Sequence, residues 1–203
     1  HVIFPKDPKA GGTWFAINEY GTVVVLLNGA FAYHKSKGSY KRSRGLIVLE
    51  TASAPNSLDT IKMMDLDKIE PFTMVIYQDV ELFEFRWDGT KKHLKPLPTD
   101  LPHIWSSATL YTPEATESRR QAFDDFVSKE KNTDALAIMG FHTNKTSDTN
   151  NGFIIDRETG LKTFSVTQAI VGDTGISLKH RDLIKEHSSL SHLKVRSKVY
   201  SAP

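Results

Sequence analysis

Cysteine is absent from the 203 residues of the sequence. Disulfide bonds, cysteine-ligated metals and a thiol nucleophile are therefore excluded within these residues. A strong excess of one charge is also missing, because 26 Lys and Arg stand against 24 Asp and Glu, which gives a formal net charge of +2. Basic residues do not form runs interleaved with aromatics, as nucleic-acid-binding surfaces do. We therefore expect no nucleic-acid partner.

Long hydrophobic runs are absent as well. No segment reaches the roughly 18 consecutive apolar residues that indicate a membrane-spanning helix, so we expect no membrane span. The first five residues do not form a signal peptide, and we expect a cytoplasmic location. Since the chain begins at His1 rather than at methionine, we expect its start to be cut. The composition favours one domain over residues 1–203, with the residues after about 172 as a less well-defined C-terminal extension.

Residues 10–29 carry the strongest structural pattern in the chain. Two runs of β-branched, apolar and aromatic residues flank a polar turn at residues 18–21, which predicts a β-hairpin. The second run, residues 22–27, is continuously apolar, as expected for a central strand covered on both faces. It ends at Asn28, whose amide could donate a hydrogen bond to developing negative charge as an oxyanion-hole donor. The alternative is an asparagine that simply begins a turn.

Patterning elsewhere predicts further hairpins and helices. Residues 72–78 and 81–87 read as one hairpin, and residues 153–156 and 162–170 as another. Helices are expected near Leu58, capped by Asn56 or Ser57, and near Glu114, opened by Thr112 and Pro113. The sequence also predicts an apolar strand at residues 46–49, a connection over residues 93–102, a strand at residues 103–107, a helix at residues 134–141 and a partly helical tail. Together they predict a layered α+β domain of mainly antiparallel sheets covered by helices such as those near Leu58 and Glu114.

Two groups of ionisable residues have uncertain roles in the sequence. Residues 33–43 are rich in Lys, Arg and His, and they form either a solvated loop or a lid over Asn28. His180, His187 and His192 have neither the i, i+4 spacing nor the shared helix face that a metal site requires. We therefore expect neither a metal nor another cofactor.

Four short blocks of sequence stand out along the chain. They are Ala-Gly-Gly-Thr-Trp through Leu-Asn at residues 10–28, Ser-Arg-Gly at residues 43–45, Trp-Ser-Ser through Thr-Pro at residues 105–113, and the hairpin around residues 155–156. These blocks resemble those of the NRDE (Asn-Arg-Asp-Glu) family, which includes the transport and Golgi organisation protein 2 group. They occur in the family's order and together span most of the chain. Each block is short, but the combination is specific.

The resemblance implies a fold and a chemistry. The family is similar to the N-terminal-nucleophile (Ntn) hydrolases of the choloylglycine hydrolase and penicillin acylase kind, which implies a four-layer αββα sandwich. In such enzymes an N-terminal cysteine is the nucleophile, and its freed α-amino group is the base. That cysteine and the name-giving Asn-Arg-Asp-Glu run should both precede His1. The resemblance therefore implies a member truncated at its N-terminus, without its first strand pair.

The resemblance also implies roles for five residues. Asn28 is matched to an oxyanion-hole asparagine, and Ser107 stands where a second family asparagine is normally found. A serine hydroxyl can still donate one hydrogen bond. Trp14, Asn18 and Arg44 belong to the matching blocks and are expected to bind substrate. The implied function is amidohydrolysis of small-molecule acyl-amides at non-peptide C–N bonds. The alternative is a non-catalytic carrier or organising protein that holds an apolar ligand, an acyl lipid or haem, in the same cleft.

Overall fold

The computed structural model describes residues 1–130, 133–173 and 175–196, and these ranges form two antiparallel sheets and four helices. The first sheet follows chain order: β1 (Val2–Ile3), β2 (Phe15–Asn18), β3 (Val23–Asn28), β4 (Phe72–Gln78), β5 (Glu81–Trp87) and β6 (Lys92–Leu97). The second sheet contains β7 (Ser165–Gly172), β8 (Gly175–Asp182) and β9 (His187–Lys194). The helices are α1 (Arg44–Ser53), α2 (Ser57–Met63), α3 (Pro113–Lys129) and α4 (Ala135–Thr143). None of these helices combines the length and apolar character needed to cross a membrane.

The two strongest hairpin predictions are confirmed. Strands β2 and β3 pair across the turn at residues 18–21, where Gly21 has a φ of +78°. Strand β3 lies between β2 and β4 and is an interior strand, as predicted. Strands β4 and β5 have the predicted bounds, and Asp79 and Val80 form their turn with φ of 55° and 64°. Two successive positive φ angles match the twist of the strands they connect.

The two sheets pack face to face. Ala16 and Ile17 are neighbours on β2 and therefore point to opposite faces of the first sheet. Ala16 packs into a core with Ile47 of α1, whereas Ile17 packs against Ile176 and Leu178 of β8. Helices α1 and α2 thus cover one face of the first sheet, and the second sheet covers part of the other face.

Helix α4 forms the fourth layer. Ala169 of β7 stands opposite Leu178 of β8, and both side chains belong to the core between the sheets. Gln168 must then point away from that core, and its Nε2 donates to the carbonyl of Ala135 in α4 at 2.6 Å. The arrangement is αββα, which confirms the predicted sandwich of two antiparallel sheets.

Helices α2 and α3 begin where the sequence predicts. Asn56 caps α2 and Thr112 caps α3, each by accepting a hydrogen bond from a backbone N–H in the first turn. Helix α2 packs on the first sheet through Ile61, which is fully buried. Helix α3 contacts α4 through aromatic rings: Phe126 stacks on Phe141 with ring centroids 4.7 Å apart. Its aromatic contacts are therefore with the outer helix rather than with the face of a sheet.

The prediction of a strand at residues 46–49 is wrong, because these residues lie in α1. Ser43 caps the helix by accepting a hydrogen bond from the N–H of Gly45 at 3.3 Å. The buried face continues beyond the apolar run to Thr51 and Ala52, which are one helical turn after Ile47 and Val48. A run of four apolar residues does not distinguish a strand from a buried helix turn.

The predictions for residues 93–102 and 103–107 are also wrong. The first segment was expected to be a connection, but most of β6 lies in it, with Pro96 opposite Phe83. Strand β6 is at the edge of the sheet, where a proline need not supply a ladder hydrogen bond. Residues 103–107 form no strand, and they run across the inner face of the first sheet, where Trp105 Nε1 donates to Glu84 at 2.8 Å.

The last part of the chain pairs differently from the prediction. The hairpin expected between residues 153–156 and 162–170 is reduced to one bridge, Asp156 with Lys162. Strand β7 pairs instead with β8, and the tail after Gly172 forms β8 and β9 rather than a partial helix. Residues 175–194, expected to be a less well-defined extension, therefore supply the middle strand and one edge of the second sheet.

Shortening the side chain of Ile176 should destabilise the whole domain. Ile176 is 1% exposed and packs on Ile17 between the sheets. Ile176→Ala should lower the free energy of unfolding by about 2–5 kcal/mol, measured by urea denaturation. Leu190→Ala on β9 is the matched control, because Leu190 is 59% exposed and its loss should change stability by less than about 0.5 kcal/mol. Equal effects of the two substitutions would contradict the packing of β8 on β2.

Candidate functional site

A cleft of about 1410 Å³ opens where the end of β3 meets the beginning of α1. Its lining also includes the loop at residues 5–14, the segment at residues 105–111, the loop at residues 161–165 and part of β8. Both sheets and the connections between them therefore contribute to one cavity. Of the five residues proposed from the sequence, Trp14, Asn28, Arg44 and Ser107 line this cleft, and Asn18 does not.

Asn28 occupies the last position of β3, opposite Phe72 of β4. Its side chain is exposed at the cleft, and none of the hydrogen bonds among the described residues involves its amide. The backbone turns away at Gly29, which has a φ of +82°. A Cβ at Gly29 would lie 2.9 Å from the Cγ2 of Thr109, so a side chain there would displace the segment that faces Asn28.

Ser107 is held beside Asn28, but through the main chain. Its Oγ donates to the carbonyl oxygen of Asn28 at 2.7 Å. A serine hydroxyl has one proton, and this hydrogen bond uses it. The expectation that Ser107 donates directly to an acyl oxygen therefore does not fit this geometry. Ser107 instead ties residues 105–111 to the end of β3.

The expected substrate-binding role of Asn18 is wrong. Asn18 is 1% exposed, and both ends of its amide are occupied by the protein. Its Nδ2 donates to the carbonyls of Ala52 and Ala54 at 3.0 and 3.4 Å, and its Oδ1 accepts from the N–H groups of Tyr20 and Thr22 at 2.9 and 3.0 Å. No part of this amide is left for a ligand, and its role is to join the β2–β3 turn to the end of α1.

Trp14 forms an aromatic wall of the cleft together with Phe164. The two rings meet edge to face with centroids 5.3 Å apart, and the ring of His180 lies 6.4 Å from that of Trp14. Phe164 is 51% exposed, although it is a large apolar residue. The aromatic wall offers apolar surface to a ligand.

Arg44 is the first residue of α1 and is half-buried at the cleft. Its Nη2 lies 3.0 Å from Oε2 of Glu70, and its Nη1 donates to the carbonyl of Pro71 at 3.2 Å. Burial lowers the pKa of Arg44, and the Glu70 carboxylate acts in the opposite direction. The side chain stays cationic at neutral pH, with much of its charge balanced by Glu70.

Two glycines bring the first two sequence blocks into backbone contact. A Cβ at Gly12 would lie 2.4 Å from the carbonyl carbon of Gly45, which is closer than real Cβ contacts. The N–H of Thr13 donates to the carbonyl of Gly45 at 3.2 Å in the same place. The loop before β2 and the start of α1 therefore form one rigid border of the cleft.

The basic residues 33–43 lie mostly away from the cleft, to which this segment contributes Ser43. Lys41 lies 3.4 Å from Asp65, Arg42 pairs with Glu50, and His34 Nε2 lies 3.3 Å from Glu70. These side chains are directed to carboxylates of other elements. The arrangement fits the solvated-loop alternative better than a lid over Asn28.

Sequence reasoning missed two polar groups of the cleft, Arg119 and His180. Arg119 projects from α3 and packs between the rings of Tyr111 and Phe153, with its Cζ 4.3 Å from each centroid. His180 lies on β8, and its Nδ1 is 2.8 Å from Oγ1 of Thr167. Burial lowers the pKa of His180, with Asp182 opposing, so the ring is mainly neutral at pH 7. No local motif marks either residue, since their neighbours at the cleft are distant in sequence.

The charge of the cleft is positive. Six Lys and Arg side chains stand against two Asp side chains, and the residues are Lys6, Lys9, Arg44, Arg119, Lys162 and Lys185 against Asp7 and Asp182. Such an imbalance in a concave surface raises the local concentration of anions. The cleft thus combines an aromatic wall with a cationic surround.

Comparison with known proteins identifies the family. A family model described as Transport and Golgi organisation 2 matches residues 1–171, which is most of the chain. The chain belongs to this family. The part that matches the Transport and Golgi organisation 2 model ends within β7, so β8 and β9 follow it. No curated protein matches the sequence significantly.

A solved structure similar to this family member is that of a mutant conjugated bile acid hydrolase from Clostridium perfringens. It has 10% sequence identity and a TM-score of 0.47, and the match covers 99% of this chain and 84% of that chain.

The same substitution should destabilise the protein strongly at Asn18 and hardly at all at Asn28. Asn18→Ala removes four hydrogen bonds in a buried environment and should lower the free energy of unfolding by about 2–4 kcal/mol. Asn28→Ala removes an exposed amide and should change it by less than about 0.5 kcal/mol. Thermal and urea denaturation of both variants checks this. A larger loss for Asn28→Ala would mean that its amide is a structural group.

Glu84 anchors the segment that carries Ser107. Its carboxylate accepts hydrogen bonds from Trp105 Nε1 at 2.8 Å and from Arg86 Nε at 2.9 Å. Burial by itself raises the pKa of Glu84, but the hydrogen bonds from Arg86 and Trp105 outweigh burial and leave the pKa below its ordinary value. The folded state therefore favours the ionised form of this carboxyl group.

The contribution of Glu84 to stability should disappear in acid. Because its folded pKa is depressed, the contribution is complete above the unfolded value of about 4.3 and is lost as pH falls through the folded pKa. Glu84→Gln should cost about 1–3 kcal/mol at pH 7, and the difference from the parent should shrink below pH 4. Urea denaturation at several pH values measures this, with the exposed Glu158→Gln as the control. A pH-independent difference would contradict the assignment.

Proposed function

We propose that this chain forms the acyl-binding and oxyanion-stabilising part of an Ntn-type amidohydrolase that acts on C–N bonds outside peptides. The observation that carries the proposal is the Asn28 amide, which stands in the cleft at the end of an interior strand without a hydrogen-bond partner among the described residues. An unpaired donor held at a fixed position can stabilise charge that develops in a transition state. Membership of the Transport and Golgi organisation 2 family supports the proposal.

The nucleophile in this proposal is an N-terminal cysteine outside residues 1–203, since these contain none. The α-amino group accepts the thiol proton, the resulting thiolate sulfur attacks the acyl carbon, and the α-ammonium group then passes the proton to the leaving amine. The C–N bond breaks and a thioester remains. Water then hydrolyses the thioester, which releases a carboxylic acid and restores the thiol. Asn28 Nδ2 would donate to the carbonyl oxygen in both tetrahedral intermediates.

Ser107 acts as a positioning residue in this mechanism. Its hydrogen bond to the carbonyl of Asn28 fixes the backbone from which the amide projects. Trp14 and Phe164 would pack against the apolar part of the ligand, and Arg44, paired with Glu70, would border its polar part. Asn28 is then the side chain that contacts the reacting oxygen.

A second candidate function is supported by a specific observation, the apolar surface that the cleft leaves open. Phe164 is 51% and Leu161 is 45% exposed, and both line the cleft. A non-catalytic carrier would use this surface to hold an acyl lipid or haem. The two functions share the cleft and differ in whether bond cleavage follows binding.

Residues 1–203 alone should not hydrolyse an acyl p-nitroanilide, because they provide no N-terminal thiol. A chain extended with its native upstream residues and beginning at cysteine should hydrolyse it, measured by release of p-nitroaniline. In the extended chain Asn28→Ala should lower kcat about 100- to 1000-fold. The exposed loop substitution Asn150→Ala is the control and should leave kcat unchanged.

The results separate the two functions. Saturable binding of the anilide by the extended chain without turnover would favour the carrier and would contradict the amidohydrolase. Turnover by Asn28→Ala at the rate of the parent would show that Asn28 is a turn residue. Turnover by residues 1–203 alone would contradict an Ntn-type mechanism altogether.

A further inference from the structure

Only some of the N–H donors of the Arg119 guanidinium form hydrogen bonds with other described residues. Its Nε donates to Ser106 Oγ at 3.1 Å, and its Nη1 donates to the carbonyls of Asn151 and Gly152 at 3.0 and 2.6 Å. None of the hydrogen bonds among the described residues involves Nη2. Arginine carries five N–H donors in a fixed plane, so two of them remain for a partner in the cleft.

The charge of Arg119 is also unbalanced. None of the described carboxylates pairs with it, although the side chain is half-buried between Tyr111 and Phe153. Burial lowers the pKa of Arg119, which reflects the cost of keeping a charge there without a carboxylate. The group stays cationic at neutral pH because arginine does not lose its proton in proteins. A buried charge without a counter-charge is costly, and an anion bound beside it removes that cost.

The other cations of the cleft are in different situations. Arg44 already pairs with Glu70 at 3.0 Å, and the four lysines of the lining are exposed to solvent. Solvated lysines attract anions without fixing their orientation. Arg119 is held in place by the rings of Tyr111 and Phe153 and by the hydrogen bonds of two of its three guanidinium nitrogens.

We propose that Arg119 binds the anionic group of the ligand that the cleft accepts, through Nη2 and with the Ser106 hydroxyl as a second donor. Ser106 Oγ already accepts from Arg119 Nε, which leaves its own proton free to donate. This inference rests on the proposed ligand-binding role of the cleft and does not require hydrolysis.

The position of Arg119 defines the class of ligand. Ser106 is adjacent to Ser107, and the Cα atoms of neighbouring residues are about 3.8 Å apart. Ser107 in turn bonds the carbonyl of Asn28 at 2.7 Å. One segment therefore carries both the residue that contacts Arg119 and the residue that contacts Asn28. The anionic group would lie near the group that faces Asn28, and the aromatic wall of Trp14 and Phe164 would take the apolar remainder. The ligand is an amphiphile with a carboxylate or a phosphate close to its reactive or polar end.

Isothermal titration calorimetry on residues 1–203 tests the proposal with decanoate, decyl phosphate and decanol. The wild type should bind the two anions more tightly than the alcohol of equal chain length. Arg119→Met keeps the apolar length of the side chain and should weaken binding of both anions at least about tenfold, with decanol unchanged. Arg119→Lys keeps the charge without the planar fork and should show an intermediate loss for the anions.

The neighbouring arginine provides a matched control. Arg120 is exposed on the same helix and pairs with Glu117 and Asp124 rather than facing the cleft. Arg120→Met should leave all three affinities unchanged. Circular dichroism melting of each variant shows whether it folds.

The affinities of the three probes decide whether Arg119 binds the anionic group. An equal loss for all three probes in Arg119→Met would show a merely structural role and would overturn the proposal. If that variant does not fold, the wild type alone decides, because equal affinities for anions and alcohol at one ionic strength would also overturn it. A preference for decanoate would identify a carboxylate ligand, and a preference for decyl phosphate a phosphate ligand. These probes need no cysteine, so a failure here is distinct from a failure of anilide hydrolysis.

Discussion

The buried amide of Asn18 is the interaction on which the placement of the cleft depends. It binds the turn that starts β3 and, through the carbonyls of Ala52 and Ala54, the end of α1. Strand β3 runs from this point to Asn28, and α1 extends from Arg44 back to this point. Because these ends are joined and α1 also packs along β3, the other ends of the two elements meet at a defined separation. The Asn18 amide thus contributes to the positions of two cleft residues that it does not touch.

Local sequence patterns were sufficient for part of the architecture. The hairpins β2–β3 and β4–β5 and the starts of α2 and α3 follow from turn residues, caps and periodicity within short windows. The predictions for α1, β6 and the third hairpin were wrong, because tertiary contacts decide there. Residues 46–49 are helical because α1 packs against β2 and β3. The segment that contains Pro96 forms the edge strand β6, where a proline need not donate a ladder hydrogen bond.

The location of four candidate residues at the cleft was predictable, whereas their roles remain proposals. Trp14, Asn28, Arg44 and Ser107 were found from blocks of sequence, and all four line the cleft. Asn18 lies in the same block as Trp14 but points into the core, which the resemblance alone does not distinguish. Arg119 was not found, because its environment comes from residues 106, 111 and 151–153, and no spacing along α3 indicates that these meet.

The contact between Gly12 and Gly45 has a further consequence for ligand selection. Two backbones in contact cannot approach more closely and have no side chains that could rotate aside. Another part of the lining consists of exposed side chains such as Phe164 and Leu161, which can change rotamer. The lining of the cleft therefore has a rigid part, at Gly12 and Gly45, and an adaptable part, at Phe164 and Leu161. Ligands of different bulk would keep the same position against the glycine border and differ in how far they displace the side chains of Phe164 and Leu161.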